Sequence, residues 1–172
     1  EPYYIDKVSV WMEANVLDEA SKAFDHVVVY GKDLKDDIAM AVDLARGMSM
    51  MGGKKLVLVK EAQMVKRWEA LGLYMQHPQP DSILVLCYKY GKPDQRLTLW
   101  KEFEKRGGVM MQSDKLKDYQ IEPLIRQLME ESIAQKGLAI RFDPKVPSLL
   151  AAYIGNELET ILGAVNKLVA GL

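Results

Sequence analysis

Residues 47–61 read Gly-Met-Ser-Met-Met-Gly-Gly-Lys-Lys-Leu-Val-Leu-Val-Lys-Glu, a methionine-rich loop that runs straight into a β-strand. The run Leu56-Val57-Leu58-Val59 has the length and β-branching of a strand covered on both faces, as in a parallel sheet. Met48, Met50 and Met51 stand between Gly47 and the Gly52-Gly53 pair, positions that disfavour helix, so no helix face is available to bury them. Flexible, polarizable methionines on a loop suit an apolar contact with another protein. The competing reading folds the loop back onto the core.

The same stretch imitates a phosphate-binding loop, but the spacing fails. Gly-x-x-x-x-Gly-Lys-[Ser/Thr] needs lysine where Gly53 stands and a hydroxyl where Lys54 stands. The order fails too, because a P-loop follows a strand and opens a helix, whereas this loop precedes a strand. A Walker B strand ends in acids that hold magnesium. Here the four apolar residues are followed by Lys60-Glu61, and a lysine in the metal-holding position repels the cation. The pattern is an NTPase-like scaffold without NTPase chemistry.

Outward from this stretch, strands and helices alternate. His26–Tyr30 is a short apolar strand that stops at Gly31. Asp33 caps a helix with the stripe Leu34, Ile38, Val42 and Ala45. A helix follows over 64–76, with Met64, Trp68, Leu71 and Met75 inward, and His77-Pro78-Gln79-Pro80 ends it. Ser82–Tyr88 is a further covered strand. Gly91–Asp94 is a turn, Leu97, Trp100, Phe103 and Glu104 lie on the next helix, and Val109–Gln112 reads as a fourth strand. An opening amphipathic helix carries Ile5, Val8, Met12 and Val16. This rhythm predicts an α/β domain with a parallel sheet and helices on both faces.

After Ser113 the alternation stops. Ile121, Leu124, Ile125, Leu128 and Ile133 form a helical stripe ending at Gly137. Asp143-Pro144 starts a second helix, with Val146, Leu149, Leu150, Tyr153 and Ile154 on its face. Asn156–Glu159 is a capping box for a third helix carrying Leu158, Ile161, Leu162, Val165 and Leu168. These three helices predict a small separate bundle, and the expected domains are 1–115 and 116–172.

Composition narrows the function classes. The 172 residues are 49% hydrophobic and 27% charged, as in an ordinary globular protein with a substantial core. A net charge of −1 implies no broad attraction to nucleic acid. Cys87 lies in an apolar run as a small buried hydrophobe, and a lone cysteine fits a reducing, cytoplasmic compartment. No apolar run approaches the ~18 residues of a membrane span. The chain opens at Glu1-Pro2-Tyr3-Tyr4 without an initiator methionine, so a fragment is expected.

Catalytic chemistry finds no support. His26 and His77 are far apart in the chain and neither has metal-ligand spacing. The pairs Asp36-Asp37 and Glu130-Glu131 fall on the polar faces of expected helices. Lys101, Lys105, Arg106, Lys115 and Lys117 are scattered basic residues without an interleaved aromatic platform. No catalytic, metal or cofactor residue is expected.

An α/β domain followed by three helices is the layout of AAA+ modules, and four segments narrow the likeness. Glu1-Pro2-Tyr3-Tyr4-Ile5-Asp6 resembles a motif after the first strand of the delta subunit of the bacterial DNA polymerase III clamp loader. The methionine loop with Lys54-Lys55-Leu56-Val57-Leu58-Val59 is similar to a second landmark, and Pro78–Leu86 with Lys92-x-Asp94-x-Arg96 to a third. Asp143-Pro144 and Ile154–Leu158 resemble the family's lid helices. The likeness spans the whole chain in order.

That resemblance implies an AAA+-like sheet domain, its first strand preceding Glu1, then a three-helix lid, with a collar domain following Leu172. It implies no ATP hydrolysis and no cofactor, in a subunit of the DNA polymerase (nucleotidyltransferase) holoenzyme that binds the sliding clamp and opens it. The family's clamp contact, a pair of large apolar residues before the strand, falls on Met50 and Met51, with Met48 beneath or beside them. Other loader subunits are implied partners through the collar, and primed DNA is implied indirectly. No membrane and no small-molecule substrate are implied. The alternatives are an ATPase whose P-loop lies upstream, or an adaptor that binds another partner through the methionine loop.

Overall fold

A computed structural model describes residues 2–94, 96–137 and 139–171. Glu1, with which the resemblance's opening motif begins, lies outside the described residues. The chain divides into two compact units, one spanning Pro2–Gln112 and the other beginning at Ser113.

The first unit is built on a parallel sheet of three strands in the order β1 (His26–Tyr30), β2 (Lys55–Lys60), β3 (Ser82–Leu86). Registers are fixed by Val27 opposite Val57 and by Val57 opposite Leu84. Leu56, Val57, Leu58 and Val59 are all fully buried, as a strand covered on both faces must be. Helices α1 (Pro2–Asn15), α2 (Glu19–Asp25), α3 (Ala39–Arg46), α4 (Glu69–Tyr74) and α5 (Thr98–Lys105) flank the sheet. On one face, Val57 and Val59 pack with Ile38, Ala41, Val42 and Ala45 around α3 and with Leu71 and Tyr74 of α4. Trp68 and Trp100 complete this core edge-to-face, with ring centroids 5.2 Å apart.

Val109–Gln112 forms no strand, and Val109 is exposed. A strand exists only with a neighbouring ladder, and the sheet of the described residues ends at β3. The stripe Leu34, Ile38, Val42 and Ala45 is buried as expected, but it spans a 3₁₀ turn and a shorter helix. Lys35 and Asp36 adopt left-handed backbone between them, and the Asp37 carboxylate accepts the Ala39 N–H at 2.9 Å. Asp36 and Asp37 therefore belong to a turn rather than a helix face, and pair with Lys66 and Arg67. The Asp36 carbonyl accepts both the Lys66 and Arg67 N–H groups. Those bonds draw 65–67 out of helix, so Val65 fills the core and Met64 is exposed.

On the opening helix the expected stripe holds in part: Ile5 and Met12, with Val16 just beyond the helix end, are half-buried in line with the buried Ser9, while Val8 is exposed. Gly31, at the end of β1, is dictated by space, since a Cβ there falls 2.1 Å from the Glu61 carbonyl oxygen. Near β3, Arg96 holds Asp94 through two side-chain bonds of 2.9 and 2.8 Å, which keep that carboxyl down at about 2.

The second unit consists of α6 (Asp118–Gln135), α7 (Val146–Ile154) and α8 (Leu158–Ala170). Ile121, Ile125, Met129 and Ile133 of α6 pack with Ile161, Val165 and Val169 of α8. On α7, Leu149 and Tyr153 are exposed rather than inward, while Val146, Leu150 and Ile154 pack against that core. Asp143 closes a turn by accepting the Lys145 N–H at 2.8 Å, and the helix begins at Val146. The expected capping box of the last helix is absent, and Asn156 instead donates to the Leu116 carbonyl at 3.4 Å.

Candidate functional site

The methionine loop joins α3 to β2 at the amino-terminal end of the sheet. Met48 is 78% exposed, Met50 75% and Met51 51%. Met48 thus does not pack beneath the other two. All three present apolar side chains to solvent, and none of the segment is helical.

The loop is held from below by Asp25, the last residue of α2. Its side chain is fully buried, yet it accepts three bonds from the loop. Met50 N–H donates to Oδ1 at 2.7 Å, the Ser49 hydroxyl to Oδ2 at 2.7 Å and Met51 N–H to Oδ2 at 3.1 Å. Ser49 Oγ in turn accepts the Gly53 N–H at 3.0 Å, which closes the loop on itself. A buried carboxylate needs donors of this kind, because the interior replaces the water it has lost. Asp25 was not singled out by sequence reasoning. An aspartate at a helix end has many local uses, and its partners lie 24 to 26 positions away.

Burial alone pushes the Asp25 carboxyl up. The Met50, Ser49 and Met51 donors and the field of Lys55 outweigh it and hold the group below the usual carboxylate range. A depressed folded value means that this contribution is complete above the ordinary aspartate value and is lost as pH falls through the depressed one. The Met50 and Met51 amide resonances are therefore expected to stay constant from pH 7 to 5 and to move together only in more acidic solution. Movement of these amides between pH 5 and 7 contradicts that sign.

The opposite, carboxyl end of the sheet is where open α/β sheets take their ligands. Here Lys60, the last residue of β2, places Nζ 2.9 Å from Glu13 Oε1. Lys89, just after β3, places Nζ 2.5 Å from Asp6 Oδ1. Asp6 and Glu13 lie two turns apart on α1 with buried Ser9 between them, so one face of this helix is drawn onto the strand ends. The Glu13 hydrogen bond holds the Lys60 ammonium above its ordinary range against the opposing effect of burial. Cys87 is buried nearby, and burial pushes its thiol up.

Among the described residues no cluster of three histidine, cysteine, aspartate or glutamate side chains is placed to hold a metal, and no helix is long and apolar enough to cross a membrane. His77 is exposed in the loop before β3, and His26 starts β1.

Comparison with known proteins places this architecture. The fold is that of clamp-loader delta proteins: it superposes on the Bacillus subtilis DNA clamp loader delta protein (YqeN) with a TM-score of 0.67 at 22% identity. The match covers 98% of this chain and 50% of that one, so the chain spans about half the length of that structure. The family model of the DNA polymerase III delta subunit matches residues 11–112, and the chain belongs to that family. No curated protein sequence matches it.

Proposed function

We propose that this chain is the part of a bacterial clamp loader that binds the sliding clamp and opens it, without hydrolysing ATP itself. The observation that carries this reading is the methionine loop. Met50 and Met51, with Met48 beside them, are exposed on a backbone bonded to a buried carboxylate. An apolar pair of this kind suits a hydrophobic pocket on a partner, where each fully buried side chain contributes roughly 1.5–3 kcal/mol. Binding opens a ring only to the extent that the open form is bound more tightly than the closed one.

In this reading the sheet unit holds the contact and the three-helix unit is the lid. The other loader subunits are reached through a collar beyond these residues, and primed DNA is engaged indirectly. The protein serves the DNA polymerase holoenzyme as a mechanical subunit.

The Lys60–Glu13 pair supports a non-catalytic role. A lysine stands where a Walker B strand carries its metal-holding acid, and its ammonium is already engaged by a carboxylate. ATP hydrolysis by the full-length protein is expected at background. Lys60→Ala should leave it there while lowering stability by about 1 kcal/mol, because Glu13, largely covered, loses its partner. A double-mutant cycle with Glu13→Ala measures the coupling. Zero coupling energy, or ATP turnover in the wild type, contradicts this assignment.

The function itself is tested by titrating the full-length protein onto a bacterial sliding clamp immobilised as an intact ring. Saturable binding is expected. Absence of binding by folded protein removes the clamp reading and leaves an adaptor for another partner.

A further inference from the structure

We infer that Asp25 is the positioning residue of the methionine loop: its carboxylate holds the Met50 and Met51 backbone so that both side chains project as a preformed contact. This deepens the clamp-binding reading and, as to its purpose, rests on it.

Methionine has three freely turning side-chain bonds, so a bare methionine loop is a poor candidate for a defined contact. Ordering such a loop on binding costs affinity, and fixing its backbone beforehand removes part of that cost. In this protein the two amides that precede the exposed side chains are those bonded to Asp25. Ser49 adds a second tier, since its hydroxyl donates to the carboxylate and accepts from Gly53. The four residues that follow Ser49 are thereby tied at both ends, and the methionines occupy the tip.

The geometry needs a carboxylate rather than any polar group. Both Asp25 oxygens face donors, one taking Met50 N–H and the other Met51 N–H with the Ser49 hydroxyl. An asparagine of the same shape offers one oxygen and one NH₂ group. Whichever way it is turned, one loop amide meets another donor. Asp25→Asn therefore preserves volume while releasing either Met50 or Met51.

The test compares amide hydrogen exchange in wild type and Asp25→Asn full-length protein, with clamp titrations alongside. Exchange at whichever of Met50 and Met51 is released is expected to accelerate at least tenfold, while Val57 and Leu58 in β2 keep their protection. Clamp affinity is expected to fall about tenfold although every methionine is retained. Ser49→Ala, which removes one donor from a partly exposed position, should produce a smaller change in the same direction and guards against misfolding of the first variant.

Unchanged exchange at Met50 and Met51, or an equal rise throughout β2, overturns the positioning role. So does a loosened loop that still binds the clamp with wild-type affinity. If wild type itself fails to bind the clamp, the exchange data still decide whether Asp25 sets the loop, and only the identity of its partner falls.

Discussion

Replacing Met50 and Met51 together by alanine should weaken clamp binding more than a hundredfold and leave the fold intact. The first half follows from area: two large apolar side chains, if buried by a partner, contribute together about 3 kcal/mol or more, which is over two decades in Kd. The second half follows from their exposure. Neither side chain packs in the core of the sheet unit, and exposed positions of that kind usually change stability by no more than about 0.5 kcal/mol. A thermal melt and a titration of the same preparation therefore separate the two effects. An unchanged Kd removes these residues from the contact. A large fall in thermal midpoint means that the loop is part of the core after all. Single variants should not be summed to the double, because neighbouring residues in one contact are rarely additive.

Gly31→Ala should have the opposite signature, with stability lost throughout the sheet unit. A Cβ at this position lies 2.1 Å from the Glu61 carbonyl oxygen, 2.9 Å from its carbon and 3.1 Å from Met64 Cβ. Two of those three atoms are backbone, in a turn where Glu61 already adopts left-handed angles. The turn is also tied to β3, since Ala62 N–H donates to the Cys87 carbonyl at 2.9 Å. Relief therefore requires moving the ends of several elements, not turning a side chain. A cost of about 3 kcal/mol or more is expected, at the upper end for overpacking, with a fall in thermal midpoint of roughly 10 °C. A midpoint within about 2 °C of wild type shows that the turn yields easily. Gly108 is a milder counterpart, because an added Cβ there meets the Phe103 ring, a side chain.

The two substitutions bracket how much of the molecule was legible in the chain. The Leu56–Val59 run announced a strand buried on both faces, and burial of all four residues agrees with it. The stripe from Leu34 to Ala45 named the correct inward residues although the helix it implied is broken. Hydrophobic side chains report burial more faithfully than they report backbone angles, because the core requires their surface whatever the local turn. The stripe on α1 was legible in part, since Ile5 and Met12 are half-buried but Val8 is exposed. Asp6 and Glu13 carry no hydrophobic signal, yet they pair with Lys89 and Lys60 at the strand ends. The fourth strand at Val109–Gln112 failed because strand pattern is necessary but a neighbour is decisive.

For the site, the division has the same physical origin. The order and spacing of residues determined by themselves a strand covered on both faces at Leu56–Val59, a non-helical methionine loop between glycines, and a lysine directly after the strand. Each of these depends on a residue's own chemistry or on neighbours a few positions away. The tertiary structure alone decided that Asp25 lies beneath the loop, that Ser49 bridges it to Gly53, and that Glu13 meets Lys60 at the strand end. A buried carboxylate is tolerable only where donors converge on it, and in this protein the fold brings those donors from a loop distant in the chain.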